Sequence, residues 1–108
     1  MTNSIEEVLS KLQKAQDALN AQDLSQIPDA QLLVLEKSKS AVYREIQSLE
    51  AKQIADRDAD YTVMTTGFRD CRSNLEDLSK WVAARESRDR AAFYLLSKGV
   101  SIALSLLI

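Results

Sequence analysis

Apolar side chains recur at spacings of three and four along most of this chain. In its first segment the pattern places one apolar face on a helix, formed by Ile5, Val8, Leu12, Ala15 and Leu19. Ser4 and Glu7 have the spacing of a capping box, in which each residue satisfies a free backbone N–H of the other at a helix start. The pattern therefore predicts a first helix over about residues 4–22.

A clear interruption follows at Pro28. Proline lacks the backbone N–H that a helix interior needs, but it suits a first helical turn. A second helix is therefore predicted from about residue 28 to residue 55. Its apolar stripe, in which Lys39 occupies one slot, consists of Leu32, Leu35, Val42, Ile46 and Leu49.

Residues 55–60 have two interpretations. They contain three aspartates, which are good helix N-caps, and so favour a turn into a third helix. The apolar stripe slips by only one residue across this segment, however, which also fits one long helix with a local skip. The helix-start preference of aspartate favours the turn.

The third predicted helix, over about residues 60–97, has the most regular pattern. Its apolar positions alternate spacings of three and four through Tyr61, Met64, Phe68, Cys71, Leu75, Leu78 and Val82. Arg85 and Asp89 take the next two slots, so the apolar seam breaks there. Two glycines and one proline are too few for the turns of a β-rich fold. We therefore expect one all-α domain over residues 1–108, a three-helix bundle in which the second and third helices form a long, coiled-coil-like antiparallel hairpin.

The C-terminal segment, residues 91–108, departs sharply in polarity from the rest of the chain. A membrane-spanning helix needs about 17–25 residues, so the length of this segment is near the lower limit, and Lys98 lies close to its middle. As a helix it is apolar on most faces and needs burial on several sides. As a strand, its last nine residues alternate with period two. The buried helix or helical tail at an interface is the favoured interpretation, and residues 98–108 are treated as an apolar tail.

Residues that carry enzymatic chemistry are scarce in the sequence. The chain has no histidine, the commonest general base and metal ligand. Cys71 lies on the apolar stripe and is interpreted as a small core residue. Asp56, Asp58 and Asp60 match the start of a calcium loop, but the glycine and glutamate that this motif requires later are missing. We therefore expect no catalytic site, no metal and no cofactor.

Charge is distributed unevenly along the chain. The net charge is −2, which gives no electrostatic case for nucleic acid binding. Residues 1–60 have seven basic and eleven acidic side chains, and residues 61–108 have seven basic and five acidic ones. The basic residues of the second half alternate with acidic ones, which is typical of a solvated helix face. They would contact lipid phosphates only in a membrane alternative, best served by Arg88 and Arg90.

These observations favour a non-enzymatic protein-interaction module, whether a self-assembling subunit, an adaptor or an inhibitor. A short first helix cannot cover a helix as long as the third, so the C-terminal region is expected to be the contact surface for another protein or another copy. The alternative is a small membrane-acting protein that inserts residues 91–108. The single cysteine and the polar N-terminus favour a cytoplasmic location, with membrane association as the alternative. The predicted partner-binding residues are Trp81, Arg85, Arg88, Phe93, Tyr94, Leu96, Val100, Ile102, Leu104, Leu106, Leu107 and Ile108.

Overall fold

The computed structural model describes residues 3–107, and this part of the chain is all-helical, as predicted. In chain order the helices are α1 (Ile5–Ala21), α2 (Asp29–Glu50), a 3-10 helix (Ile54–Asp56), α3 (Thr66–Asp70), α4 (Arg72–Ala83), α5 (Ser87–Ala92) and α6 (Tyr94–Ser105). The expected capping box starts α1, since the Ser4 hydroxyl accepts from the Glu7 N–H and the Glu7 carboxylate accepts from the Ser4 N–H. The first two predicted helices thus correspond to α1 and α2, although α2 ends at Glu50.

The four longest described helices pack side by side around one core. Helix α1 contacts α2 and α6, and α4 contacts the same two helices from the other side. The direction of α6 is fixed by two contacts, because Gln22 at the end of α1 meets Leu96, and Leu19 approaches Gly99. Helix α6 therefore runs antiparallel to α1. The largest apolar side chains of the core are fully buried and come from these four helices and from α3, namely Leu12, Leu19, Leu35, Leu49, Phe68, Leu75, Leu78 and Leu96.

The single helix predicted over residues 60–97 does not form. The chain is extended before Thr66, and it leaves the helical conformation again at Glu86, whose φ and ψ are −65° and 155°. A straight continuation would carry charged Arg85 and Asp89 along the apolar seam, which is costly unless they are paired. The turn instead allows the C-terminal segment to fold back as α6 and cover α1. The long hairpin of the prediction is accordingly replaced by a fourth packed helix.

The backbone decides between the alternative interpretations of two segments. Residues 54–56 form a 3-10 helix followed by a turn, so the turn predicted within residues 55–60 is confirmed and the continuous helix is wrong. Residues 94–105 are helical, so the strand interpretation of the tail is wrong over that range. The alternation of polar and apolar residues suggested a strand there, but Ser101 and Ser105 also lie on one face of a helix.

Residues 51–65 connect α2 to α3, and we call them the strap. The strap pairs with the start of the chain through backbone hydrogen bonds, in which the Ile5 N–H donates to the Ala59 carbonyl at 2.9 Å and the Tyr61 N–H to the Asn3 carbonyl at 2.8 Å. Arg57 donates to the carbonyl of Glu50 at 3.0 Å. This last contact satisfies a free carbonyl at the end of α2. The strap is thereby tied to two helices without contributing a fully buried side chain of its own.

Candidate functional site

The structure separates the twelve predicted contact residues into two groups. Trp81 lies in the last turn of α4, Arg85 follows that helix, and Arg88 lies on α5. Phe93, Tyr94 and Leu96 surround the start of α6, so these six residues share one end of the molecule. The others follow α6 and the residues after it toward the opposite end, along α1. They are Val100, Ile102, Leu104, Leu106 and Leu107, while Ile108 lies outside the described residues.

The second group points mainly inward. Val100 and Leu106 are buried in the common core, and Leu104 and Leu107 are partly buried against it. Leu96 and Phe93 of the first group are buried in the same way. The three helices predicted from the sequence would leave this region uncovered. With α6 as a fourth helix against α1, these side chains are not available to a partner while α6 stays in place.

An aromatic cluster remains at the surface where α4, α5 and α6 meet. The Arg85 guanidinium lies 4.8 Å from the Trp81 ring centroid, and its Nε donates to the Trp81 carbonyl at 3.2 Å. The Phe93 ring approaches Trp81 edge-on, with centroids 4.8 Å apart at an angle of 69°. Next to Phe93, the Tyr94 side chain is 64% exposed. We call Trp81, Arg85, Phe93 and Tyr94 the aromatic corner.

Helix α5 borders the aromatic corner and is exposed along its whole length. Its charges are mixed. Arg88 lies 3.5 Å from the Glu86 carboxylate, with both side chains largely exposed, and Arg90 donates to the Ser87 hydroxyl at 2.9 Å. Exposed pairs of this kind contribute little to stability. The arginines are therefore free to exchange these contacts for others.

Gln22, which no sequence pattern singles out, holds the aromatic corner in place. Its side chain is almost fully buried at the end of α1. The amide nitrogen donates to the Ala92 carbonyl at 2.9 Å, and the amide oxygen accepts from the Leu96 N–H at 2.9 Å. These two backbone groups flank the junction of α5 and α6. We call these two hydrogen bonds the clamp. In the sequence, a polar residue just after an apolar stripe indicates only the end of a helix, so the clamp could not be predicted.

Glu45 is a second buried polar residue that was missed, and here the sequence did hold a signal. Its position, three residues after Val42 and four before Leu49, lies on the apolar face of α2. The side chain is 0% exposed. One carboxylate oxygen accepts from the Tyr61 hydroxyl at 2.6 Å and the Met64 N–H at 2.8 Å. The other accepts from the N–H and the hydroxyl of Thr65, both at 2.8 Å.

The environment of Cys71 agrees with its interpretation as a core residue. The thiol is buried and lies 3.1 Å from the Phe68 carbonyl. Burial raises the pKa of the Cys71 thiol to about 11, so it stays protonated at neutral pH. A thiol in that state is a poor nucleophile. The residue lines a groove of about 270 Å³ between α2 and the α3–α4 junction, together with Lys37 and Arg44 among others.

The acidic residues of the strap are spread over its turn, with Asp56 in the 3-10 helix and Asp60 bridging to Ser4. Among residues 3–107 no three acidic or cysteine side chains come together as a set that would hold a metal ion. No helix in this range combines the length and apolar composition needed to cross a bilayer. Comparisons with protein-family models, curated proteins and solved structures found no match.

Proposed function

We propose that this chain is a non-enzymatic protein-interaction module that docks through the aromatic corner. The observation that carries the proposal is the exposed Tyr94 ring, which follows directly on Phe93, whose own ring packs against the stacked Trp81 and Arg85 pair. Tryptophan, tyrosine and arginine are the residues that most often dominate binding energy at protein interfaces. In this chain all three types lie together at one end of the molecule.

The aromatic corner is also pre-organised for binding. Gln22 fixes the backbone on both sides of Phe93, and Phe93 in turn buttresses Trp81. Rigid side chains lose less conformational entropy on binding than mobile ones, so more of the contact energy appears as affinity. The Trp81 and Tyr94 rings therefore offer a ready contact surface.

The chemistry of the corner defines the kind of partner that fits it. The exposed Tyr94 ring needs an apolar pocket, and Arg85 and Arg88 need carboxylates. Another copy of the chain or a different protein could supply both. Burial of Phe93, Leu96, Val100 and Leu106 within the chain narrows the proposed docking residues to Trp81, Arg85, Arg88 and Tyr94.

Tyr94→Ala tests this proposal, with Tyr43→Ala as the matched control. Tyr43 is also exposed, at 51%, but lies on α2. The mass of the full chain is measured by light scattering over a range of concentrations, and cross-linked complexes are recovered from cell extract. We expect assemblies larger than one 12.1 kDa chain, or a defined heteromeric complex, lost in Tyr94→Ala and kept in Tyr43→Ala.

A chain that stays monomeric and forms no complex sensitive to Tyr94 would overturn the proposal. The same preparations are mixed with anionic lipid vesicles and sedimented. Co-sedimentation of the full chain, unaffected by Tyr94→Ala, would support the membrane alternative instead. That mode requires α6 to leave α1, because its apolar residues are buried there.

A further inference from the structure

The strap is attached to the helical bundle in an unusual way. None of its side chains is fully buried, and only Tyr61 and Val63 pack partly against the apolar core. Its attachment depends instead on hydrogen bonds to the start of α1, to the end of α2 and to Glu45. Segments with few buried apolar contacts open at lower free energy than the core to which they are attached.

Glu45 is the only fully buried charged side chain in the described core, and its four partners are all hydrogen-bond donors. An ionised carboxylate is acceptor-only and can satisfy four donors at once. No described cation lies within ion-pair distance of it. Its burial is therefore compensated by donors from Tyr61, Met64 and Thr65, all of which belong to the strap.

We propose that the strap opens and closes on the folded bundle as one unit, and that Glu45 is the latch that holds it closed. A buried carboxylate without enough hydrogen-bond donors is unfavourable. Loss of one donor therefore also destabilises the closed state that the other three hydrogen bonds hold. Thr65 extends the latch to α3, because its hydroxyl also accepts from the Phe68 N–H at 3.2 Å at the start of that helix. Opening would lift Tyr61 and Val63 from the core and admit water to Glu45. This device does not depend on the docking surface proposed above.

Glu45→Gln in the full chain is the direct test. The glutamine has nearly the same shape, but either orientation of its amide places an NH2 donor against a backbone N–H donor of Met64 or Thr65. Hydrogen exchange should therefore become at least tenfold faster at the amides of Met64 and Thr65. Tryptic cleavage after Arg57 should accelerate by a similar factor. Amides in the middle of α1 and α6 should change far less.

Two further variants keep the test decisive. Glu50→Gln removes an exposed carboxylate near the end of the same helix and should leave the exchange pattern unchanged. Tyr61→Phe removes only one of the four donors and should give a smaller acceleration in the same amides. If Glu45→Gln does not fold, selective acceleration in Tyr61→Phe supports the latch. Uniform acceleration of strap and core amides, or no acceleration at Met64 and Thr65, would overturn it.

Discussion

Helix α1 approaches α6 closely at Gly99. We therefore predict that replacing Gly99 by alanine lowers the free energy of unfolding, although alanine normally favours a helix more than glycine does. A Cβ atom at this position would lie 2.7 Å from the Leu19 Cγ and 3.0 Å from the Ala15 carbonyl oxygen. Leu19 is fully buried, so its side chain has no solvent to move into. The Ala15 oxygen is backbone and moves only with its helix. Gly99→Ala should therefore push α6 away from α1.

The magnitude follows from two opposing terms. Replacing glycine by alanine inside a helix favours the helix by about 1 kcal/mol. Inserting a methyl group into a well-packed core costs about 1–3 kcal/mol. Since the contacts to the Leu19 Cγ and Cδ2, at 2.7 and 2.8 Å, both fall below 3.0 Å, we expect the steric term to prevail and the free energy of unfolding to fall by about 1 kcal/mol. For a chain of this size that lowers Tm by roughly 4–8 °C.

Urea and heat denaturation followed by circular dichroism measure the effect, and Gly67→Ala is the matched control. Gly67 also lies in a helix, α3, but a Cβ there would meet nothing within 4 Å. Its replacement should raise the free energy of unfolding by about 0.4–1 kcal/mol. The reasoning is refuted if Gly99→Ala is as stable as the natural chain, or if both variants shift stability in the same direction.

Three further substitutions test other contacts. Gln22→Ala leaves the buried N–H of Leu96 without a partner and should cost about 1–3 kcal/mol in urea denaturation. Arg85→Ala removes the cation above Trp81, so stability should fall by about 0.5–1 kcal/mol and the fluorescence of this single tryptophan should change. Cys71→Ala should reduce alkaline destabilisation. The pKa of the thiol is raised from 9.0 to about 11, so its contribution is complete below pH 9 and is lost as the pH rises through 11.

Exposed residues of the same type serve as controls. Gln13→Ala on the solvent side of α1 should leave the free energy of unfolding unchanged, whereas an equal loss in Gln22→Ala and Gln13→Ala would contradict the clamp. Arg90→Ala should not alter the tryptophan fluorescence. For the thiol, unfolding is compared at pH 8 and pH 11, and an identical drop in stability with and without Cys71 would contradict the pKa argument.

The sequence predicted the helices whose patterns depend on local spacing alone. The capping box at Ser4, the break before Pro28 and the turn within residues 55–60 all reflect short-range chemistry, and the backbone follows them. Helix periodicity failed where the direction of the chain mattered. Arg85 and Asp89 were recognised as a break in the seam, but a break in a stripe does not reveal that the chain turns back on itself.

The contacts of the two buried polar residues, Glu45 and Gln22, could be predicted from the sequence to different degrees. Glu45 lies on the apolar face of its helix, so the sequence pattern indicates a buried charged residue that needs hydrogen-bond partners. The pattern does not indicate which residues donate those hydrogen bonds. Gln22 binds backbone groups 70 and 74 positions away along the chain, and nothing near it in the sequence indicates this. Such contacts depend on which helices become neighbours, and that is decided by the packing of the whole chain.

The packing of α6 also determines how its function can be tested. Truncation after Lys98 removes Val100 and Leu106, which are buried in the core and together contribute about 3–6 kcal/mol by apolar burial alone. It also uncovers the face of α1 that α6 protects, while a whole domain is stable by only about 5–15 kcal/mol. We therefore expect the truncated chain to lose cooperative thermal unfolding, measured by circular dichroism. A cooperative melt with full helix content would show that α6 is dispensable for the fold. Loss of binding or assembly on truncation would otherwise report unfolding, so Tyr94→Ala, which leaves the core intact, is the variant that isolates docking.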